Sequence, residues 1–258
     1  MISVVYLDHM GSDISVIRAA RQSFDGDAVS IGTKEISLLN YLARGFTQSE
    51  WHELLKVVTY GLKGTQSMFE HLSAQEILWL IKNQATHFAP FTHPKISVRC
   101  HAPLSIARQI WKSQIGVVGA DSDVAWSEMS MRYVDRAPKF HDVQMHKRAE
   151  NIKQGSTDDI IDYATFLGIE HSTHCAELYN DMLKHGIAPE DARNVLPVNT
   201  MTSWTWTGSL YFFAKLYLLR SNLAHVQKDT VEFTKCIEAI VSPLFPHSWV
   251  ALTTGDLF

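Results

Sequence analysis

Residues 107–133 concentrate the side chains of this sequence that are best suited to bind an anion. The segment is ARQIWKSQIGVVGADSDVAWSEMSMRY. Around an apolar frame it combines cations, amides and hydroxyls with a carboxylate: Arg108, Gln109, Lys112, Gln114, Ser127, Glu128, Ser130 and Arg132. Lysine and arginine donate charge-assisted hydrogen bonds to phosphate, and hydroxyls and backbone N–H groups complete such a cradle. The segment therefore predicts an anion site, most simply for the phosphate of a nucleotide.

The same residues also fit a purely structural segment, made of an amphipathic helix, a loop and a solvated turn with salt bridges. Short motifs of this kind often fail without structural context. Glu128 and Asp135 can likewise serve as acid and base, or as ion-pair partners of Arg132 and Arg136, and the ion pairs are the simpler interpretation. At this level both interpretations of the segment stay open.

Length, charge and cysteine content restrict the classes of protein to which this sequence can belong. The 258 residues are 46% hydrophobic, which is enough for a sizeable core, so we expect a single domain over residues 1–258. A formal net charge of −4 disfavours general nucleic-acid binding but allows local basic clusters. Three cysteines without a CxxC spacing indicate a reducing compartment. No apolar run approaches the roughly 18 residues of a membrane span, so we expect a cytoplasmic protein without a membrane partner.

The elements that must position these groups follow from hydrophobic periodicity and from capping residues. Alternating apolar residues predict strands over 1–7 and 95–101. Capping boxes at Thr47 and Ser73 and helical apolar spacing predict most of the remainder as helix. The predicted helices cover 14–23 with Asp13 as cap, 33–44, a segment from 47, 73–81, 104–111, 158–184, 189–195, 210–219 and 231–241. The polar stretch 147–157 is predicted as a surface loop. The fold class is therefore α+β and helix-rich, with a small antiparallel or mixed sheet.

Five motifs follow one another along the chain. They are HMGSDISVIRAARQSFD at 9–25, HFAPFTH at 87–93, RCHAPLSIARQ at 99–109 leading to WSEMSMRYVD at 126–135, GIAPEDARNVLPVNTMTSWTWTGS at 186–209 and LLRSNLAHVQ at 218–227. In this order they resemble the flavin-dependent thymidylate synthases, particularly the phage-type members. One motif alone is weak evidence, but five in the same order are strong. The resemblance implies that family's fold over the whole chain, with a helical insertion around residues 46–72.

The resemblance also implies an activity, cofactors and an assembly. Members of the family methylate deoxyuridylate (dUMP) at C5 to give thymidylate. Methylenetetrahydrofolate is the carbon donor, FAD the redox carrier and NADPH the reductant. The flavin carries the difficult chemistry, while the protein orients and polarises the substrate. The family works as a homotetramer whose active sites form between subunits, so we expect a homotetramer here, in the host cytoplasm if the protein is phage-encoded.

Site residues carry over from the family by position. The implied nucleotide ligands are Gln109, Lys112, Glu128, Ser130, Arg132, Arg193 and Arg220. Arg220 is also the implied catalytic residue, because a guanidinium at the pyrimidine ring stabilises the negative charge that develops when C5 becomes nucleophilic. The implied flavin positions are Ser23, His87, Ala89, Lys112, Ser113, Gln114, Glu128, Ser209, Tyr211 and Lys215. No metal ligand is implied.

Several of these positions depart from the family pattern. The family's R-H-R or K-H-K triplet is Lys112-Ser113-Gln114 here, and the following loop IGVVGADSDVA at 115–125 is longer than expected. Ala89 replaces the usual threonine of the H-x-T-P-F loop. In the C-terminal half, the family's asparagine and arginine flavin contacts are replaced by Ser209, Tyr211 and Lys215. Flavin contacts are thus altered more than nucleotide contacts.

These departures leave three functions open. The first is thymidylate synthesis itself. The second is a variant C5 modification, such as hydroxymethylation of dUMP or dCMP, because replaced hydrogen-bonding groups at a base shift discrimination strongly. The third is a nucleotide-binding homologue that has lost flavin chemistry. Retention of Arg220 favours a uracil-type base that can carry negative charge.

Two further motifs have ordinary structural interpretations. His171 and His174 share a helix face, but no third ligand follows at a recognised spacing, so we expect a polar helix surface rather than a metal site. Trp204 and Trp206, with the aromatic run 211–213, can stack on a flavin or pack in the core. Core packing is favoured, since large aromatic residues are mostly buried.

Overall fold

The structure, a computed structural model, describes residues 1–61, 67–117, 124–133, 136–142, 144–150, 155–221 and 226–253. The chain divides into two compact units. The sheet unit comprises residues 1–8, 96–208 and 216–240, and the helical unit comprises residues 9–95, 209–215 and 241–258. The expected single domain with an insertion at 46–72 stays a prediction. Within the described residues, no helix is long and apolar enough to cross a membrane.

The strands form a four-stranded sheet and a separate two-stranded pair. The four-stranded sheet has the order β1-β2-β6-β3, with β1 at Ser3–Met10, β2 at Lys95–Pro103, β3 at Ala125–Glu128 and β6 at Met201–Ser209. The second pair joins β4 (His146–Arg148) antiparallel to β5 (Ser156–Ile160). The helices are α1 Asp13–Gln22, α2 Thr33–Arg44, α3 Gln48–Tyr60, α4 Ala74–Asn83, α5 Leu104–Val117, α6 Asp162–Lys184, α7 Pro189–Ala192, α8 Leu210–Arg220, α9 Lys228–Leu244 and α10 Pro246–Thr253. Short 3-10 turns lie at Ala89–Thr92 and Arg193–Val195. The predicted α+β class is confirmed.

Strands β2 and β6 form because their side chains alternate between a buried and a less buried face. On β2, Ile96, Val98 and Cys100 are fully buried, which confirms the strand predicted at 95–101. On β6, Trp204 and Trp206 are 1% and 0% exposed. The sequence analysis did not identify β6, although TSWTWTG carries the period-2 pattern of a strand.

Two predictions between residues 147 and 184 were wrong in their boundaries. The helix expected from residue 158 begins at Asp162, because Ser156–Ile160 forms β5 instead. The expected surface loop 147–157 contains the end of β4 and the start of β5, while residues 151–154 lie outside the described chain. Alternation of Thr157 with more exposed neighbours on β5 is too short a pattern to separate a strand from a polar helix start.

Asp13 ties the first helix of the helical unit to the last. It was predicted to cap α1, but Ser12 occupies the cap position and Asp13 is the first helical residue. The buried Asp13 carboxylate instead accepts hydrogen bonds from the backbone N–H groups of His247 and Ser248, both at 2.9 Å. These N–H groups lie in the first turn of α10, where a carboxylate satisfies unpaired donors and interacts favourably with the helix dipole.

Helices α3 and α4 begin as predicted and share a small core. Thr47 accepts a hydrogen bond from the Glu50 backbone, and Ser73 accepts one from the Glu76 backbone, which confirms both capping boxes. The core beneath them is apolar and buried; its members are Phe46, Trp51, Leu54, Val57 and Ile77. Residues 46–81 therefore bring their own hydrophobic cluster to the helical unit.

Gly45 ends α2 in a crowded left-handed conformation, so its replacement by alanine should be costly. Its φ is +74°, and an added Cβ overlaps the carbonyl oxygen of Ala85. Gly61 also has a positive φ, +87°, and among the described residues nothing lies within 4 Å of its added Cβ. Its ψ of 170° lies in a region used almost only by glycine, so we expect Gly61→Ala to cost about 1–3 kcal/mol of unfolding free energy through backbone strain alone. Gly45 has a ψ of 6°, so Gly45→Ala should cost about 1–2 kcal/mol through left-handed strain and about 1–3 kcal/mol more through overpacking.

Urea unfolding followed by circular dichroism measures both variants under the same conditions. Because the two glycines differ in ψ, the steric clash is judged from the size of the loss at Gly45. A Gly45→Ala loss of no more than about 2 kcal/mol, which left-handed strain alone explains, would show that the Ala85 carbonyl is not a barrier.

Candidate active site

An open cavity of about 660 Å³ lies on the sheet unit and is rich in guanidinium groups. Its polar lining is Arg108, Glu128, Ser130, Arg132, Arg193, Asn194, Thr200 and Thr202. Of the predicted nucleotide ligands, Glu128, Ser130, Arg132 and Arg193 are thus brought together around one space. The polar lining is drawn from residues 108 to 202, so the cavity exists only in the folded chain.

Four segments of the sheet unit position these side chains. Arg108 lies on α5, and Glu128 is the last residue of β3. Ser130 and Arg132 belong to the turn that follows β3, which is anchored where the Met129 N–H donates to the Ser203 carbonyl at 2.8 Å. Arg193 opens the 3-10 turn after α7. The cavity is therefore lined by a helix, a strand end and two turns around β6.

Two of the cavity arginines are held by neutral groups. The Nε of Arg132 donates to the Ser130 hydroxyl at 3.1 Å, and the Nε of Arg193 donates to the Glu190 carbonyl at 3.2 Å. Within the described parts of the chain, Arg108, Arg132 and Arg193 form no ion pair with a carboxylate. Their charge is therefore available to an anion, and guanidinium groups bind phosphate in a bidentate manner.

Glu128 is the one carboxylate among the cavity-lining residues of the described chain. It accepts hydrogen bonds from the Thr202 hydroxyl at 2.7 Å and from the Trp126 indole N–H at 3.3 Å. These neutral donors take the place of the ion pair with Arg132 that the sequence suggested. Asp135, the other acid considered, lies outside the described residues.

Gln109, Ser113 and Arg220 form a second polar group in the sheet unit. The side-chain amide of Gln109 donates to Gln227 at 2.6 Å and accepts from Thr230 at 3.0 Å. Ser113 is 2% exposed, donates to the Gln109 carbonyl at 2.8 Å and accepts from Nε of Arg220 at 2.9 Å. None of the three lines the cavity described above. Ser113 therefore fixes the Arg220 guanidinium through its Nε edge.

Comparison with known proteins decides the family. Residues 6–247 match the family described as thymidylate synthase complementing protein, or Thy1. The chain belongs to the Thy1 family. Its relatives include a flavin-dependent thymidylate synthase of Thermus thermophilus, 24% identical over 250 residues that cover 95% of this chain and 73% of that protein. The Thermosipho africanus flavin-dependent thymidylate synthase is 24% identical over 269 residues, covering 97% and 92%.

Solved structures agree with the family assignment at the level of the fold. A crystal structure of a UMP/dUMP methylase, PolB, from Streptomyces cacaoi bound with 5-Br dUMP superimposes with a TM-score of 0.68. Sequence identity is 21%, and the match covers 98% of this chain and 95% of that chain. The predicted family and fold are therefore confirmed, and this Thy1 protein carries that fold over nearly its whole length.

The predicted flavin positions of this Thy1 protein fall in both units. Ser23, His87, Ala89, Ser209, Tyr211 and Lys215 belong to the helical unit, and Lys112, Ser113, Gln114 and Glu128 belong to the sheet unit. Two of them are already engaged within the protein. Ser113 binds Arg220, and the fully buried Ser209 accepts a hydrogen bond from the Phe212 N–H at 3.0 Å, where it caps the start of α8. These two side chains are structural here.

The remaining flavin positions stay predictions. Nε2 of Gln114 is buried and has no hydrogen-bond partner within the residues that the structure describes, so it suits an acceptor on a ligand. Tyr211 stacks on Phe88 with ring centroids 4.8 Å apart, and Lys215 lies 5.6 Å from the Tyr211 ring. Burial raises the pKa of the Tyr211 hydroxyl, so the phenol stays neutral. His87, Ser23, Ala89 and Lys112 are exposed.

Burial and contacts bear on the two remaining motifs. His171 lies 3.6 Å from the Cys175 sulfur, and no group of three potential metal ligands occurs among the described residues. Trp204, Trp206, Phe212 and Phe213 are buried, which agrees with core packing rather than an open stacking platform. Neither motif adds a ligand to the cavity.

The sequence analysis missed Asn194 and Thr202 as cavity residues, and noted Arg108 only as part of the anion segment. Thr202 was missed because β6 was not identified, although it lies two residues before Trp204 on the same strand face. Asn194 follows Arg193 in a 3-10 turn, and no local pattern marks such a residue as a ligand. Identifying these cavity residues requires knowing which segments pair across long distances in the sequence.

The contact between Ser113 and Arg220 leads to a stability prediction. Ser113→Ala removes the acceptor of a part-buried guanidinium N–H and should lower the unfolding free energy by about 1–3 kcal/mol. Ser156→Ala, an exposed serine at the start of β5, is the matched control and should stay within about 0.5 kcal/mol of wild type. Urea denaturation gives both values. An unchanged Ser113→Ala variant would mean that water replaces the serine without cost.

Proposed function

We propose that this Thy1 protein methylates dUMP at C5 to give thymidylate, with methylenetetrahydrofolate as carbon donor, FAD as bound redox carrier and NADPH as reductant. The observation that carries the proposal is the cavity of the sheet unit, where Arg108, Arg132 and Arg193 surround one space with Glu128. The family assignment and the names of the relatives support the same reaction.

The charge of the cavity matches a nucleoside monophosphate. Three guanidinium groups and one carboxylate give 3 − 1 = +2, and a phosphate monoester carries close to two negative charges at neutral pH. A diphosphate or triphosphate would leave excess negative charge against Glu128. Net neutrality of the complex therefore favours the monophosphate.

Glu128 sets the orientation of the nucleotide in this proposal. A carboxylate repels phosphate, so the phosphate binds at the arginines and Ser130, while Glu128 accepts a hydrogen bond from a neutral donor on the sugar or base. The Glu128 side chain is exposed, but its two donors hold the carboxylate in a fixed geometry, so it favours ligands that carry the matching donor. The cavity thus contacts the nucleotide at its phosphate and at its sugar or base.

Arg220 does not line the cavity, and its role at the pyrimidine ring is the one that the family pattern implies. A guanidinium already held in place would stabilise the negative charge that develops on the ring when C5 becomes nucleophilic, without reorganising. Ser113 binds one edge of Arg220 at Nε, which leaves the other N–H groups for the substrate. In this proposal Ser113, the serine of the altered triplet 112–114, positions the Arg220 guanidinium and does not contact the flavin.

The candidate flavin residues in this proposal are assigned by the family pattern and include Lys112 and Gln114 of the sheet unit and His87, Tyr211 and Lys215 of the helical unit. A bound flavin would supply the electrons that reduce the one-carbon unit to a methyl group. The protein's own part is to orient the nucleotide, to exclude water and to stabilise charge. The family's homotetramer, with active sites between subunits, belongs to the proposal, as does a cytoplasmic location without a nucleic-acid or membrane partner.

A nucleotide-binding homologue without flavin chemistry is the second candidate function. It is favoured by one observation: Ser113 and Ser209, which stand at flavin positions of the family, are buried and bonded within the protein. Hydroxymethylation of dUMP or a reaction on dCMP is a variant of the first candidate, and analysis of the nucleotide product separates these reactions.

Arg193 should contribute to nucleotide affinity through the phosphate. Arg193→Ala removes a charge-assisted contact worth about 1.5–3 kcal/mol, so dUMP should bind roughly ten- to a hundredfold more weakly. Arg148→Ala removes an exposed guanidinium from β4 of the same unit and should change affinity less than about twofold. Isothermal titration calorimetry measures both. If both variants weakened dUMP binding equally, Arg193 would act only through its contribution to the overall charge.

The absorbance spectrum of the purified full-length protein, before and after addition of FAD and dUMP, tests the proposed reaction. We expect flavin bands that shift when dUMP is added, followed by thymidylate as the product in the presence of methylenetetrahydrofolate and NADPH. A colourless protein that binds dUMP under saturating FAD would overturn the synthase and establish the nucleotide-binding homologue. A flavoprotein that yields hydroxymethylated product or consumes dCMP would establish the variant reaction.

A further inference from the structure

One face of the sheet carries a layer of tryptophans that ends at the cavity. Strands β3 and β6 pair antiparallel, with Trp126 opposite Trp206 and Glu128 opposite Trp204. Side chains two residues apart on a strand point to the same face. Trp126, Glu128, Thr202, Trp204 and Trp206 therefore share one face, and only Glu128 and Thr202 of these line the cavity.

The indole of Trp126 is fixed by other rings. It stacks on Trp204 with centroids 4.4 Å apart and an interplanar angle of 17°, and it meets the edge of Trp206 at 5.4 Å. Trp111 of α5 approaches from another side at 5.3 Å, also edge to face. Trp204 is 1% exposed, so the stack rests on the buried core. A ring held on three sides has little freedom to turn its N–H away.

That N–H is directed at the cavity carboxylate. Trp126 Nε1 donates to one oxygen of Glu128 at 3.3 Å, and the Thr202 hydroxyl donates to the other oxygen at 2.7 Å. Each oxygen keeps a second lone pair for a ligand. The two donors together fix the plane of the carboxylate and therefore the direction of its free lone pairs.

We propose that Trp126 is a positioning residue for nucleotide binding, which acts by holding the Glu128 carboxylate toward the cavity through its indole N–H. Trp126 itself does not line the cavity, so its effect passes through Glu128. The inference rests on the proposed function in one respect, namely that a nucleotide such as dUMP occupies this cavity.

Trp126→Phe separates the hydrogen bond from the packing, because phenylalanine keeps an aromatic ring in the stack and removes the N–H. We expect dUMP to bind about three- to tenfold more weakly to this variant of the full chain. Trp111→Phe is the matched control, since Trp111 joins the same ring cluster and makes no hydrogen bond to Glu128 among the described contacts. It should change dUMP affinity less than about twofold.

A double-mutant cycle shows whether Trp126 acts through Glu128. In a Glu128→Ala background, Trp126→Phe should cause no further loss of dUMP affinity, because the acceptor that it positions is gone. The same loss in both backgrounds would overturn the inference, since Trp126 would then act through packing alone. Unchanged affinity of Trp126→Phe in the wild-type background would overturn it as well.

A measurement without nucleotide tests the contact itself. The chain has seven tryptophans, so incorporation of 5-fluorotryptophan gives a resolvable ¹⁹F spectrum in which Trp126→Phe and Trp111→Phe assign two resonances. Glu128→Gln should move the Trp126 resonance more than the Trp111 resonance. A Trp126 resonance that does not move would overturn the proposed contact.

The two experiments also separate failure of this inference from failure of the proposed function. If wild-type protein binds no dUMP, the proposed function fails and with it the nucleotide part of the inference. The ¹⁹F spectrum, which needs no nucleotide, then still tests whether Trp126 contacts Glu128.

Discussion

The cavity depends on the antiparallel pairing of β3 with β6. The two strands lie more than seventy residues apart in sequence, and their register sets Glu128 opposite Trp204. The Met129–Ser203 backbone bond at 2.8 Å continues the pairing beyond β3, so the turn that carries Ser130 and Arg132 starts from a fixed point. A shift of one residue would turn Glu128 to the other face of the sheet. The buried tryptophans oppose such a shift, because they fill the core only in this register.

The cavity gathers three arginines that have no carboxylate partner among the described residues. In the helical unit, Arg18 pairs with Asp27 and Arg21 pairs with Glu35, so those arginines are neutralised within the protein. Arg108, Arg132 and Arg193 have no such carboxylate within the described segments. Like charges gathered in one cleft repel one another and concentrate the local potential, which attracts an anionic ligand. The arrangement is unfavourable without an anion, and an anionic ligand, as proposed above, would offset the repulsion.

Local signals predicted most helices well. Helix α2 spans the predicted residues 33–44, and α3 and α4 start at their capping boxes, because helical spacing and caps involve residues within one or two turns. The failures involve distant partners. Strands β3 and β6 and helix α10 were not predicted, and Asp13 was assigned to its own helix although its carboxylate binds the first turn of α10. The long loop after Gln114 lies largely outside the described residues, so its predicted role is still a prediction.

The sequence by itself determined the family, through five motifs in order, and it identified Glu128, Ser130, Arg132 and Arg193 as candidate ligands. It did not determine which of the candidates meet. Only the tertiary structure placed those four around one cavity, engaged Ser113 and Ser209 in internal hydrogen bonds, and assigned Thr202 and Trp126 to the Glu128 carboxylate. The reason is physical: helix caps and periodicity act over a few residues, whereas strand register and side-chain packing join groups far apart in the chain and are fixed only when the core forms.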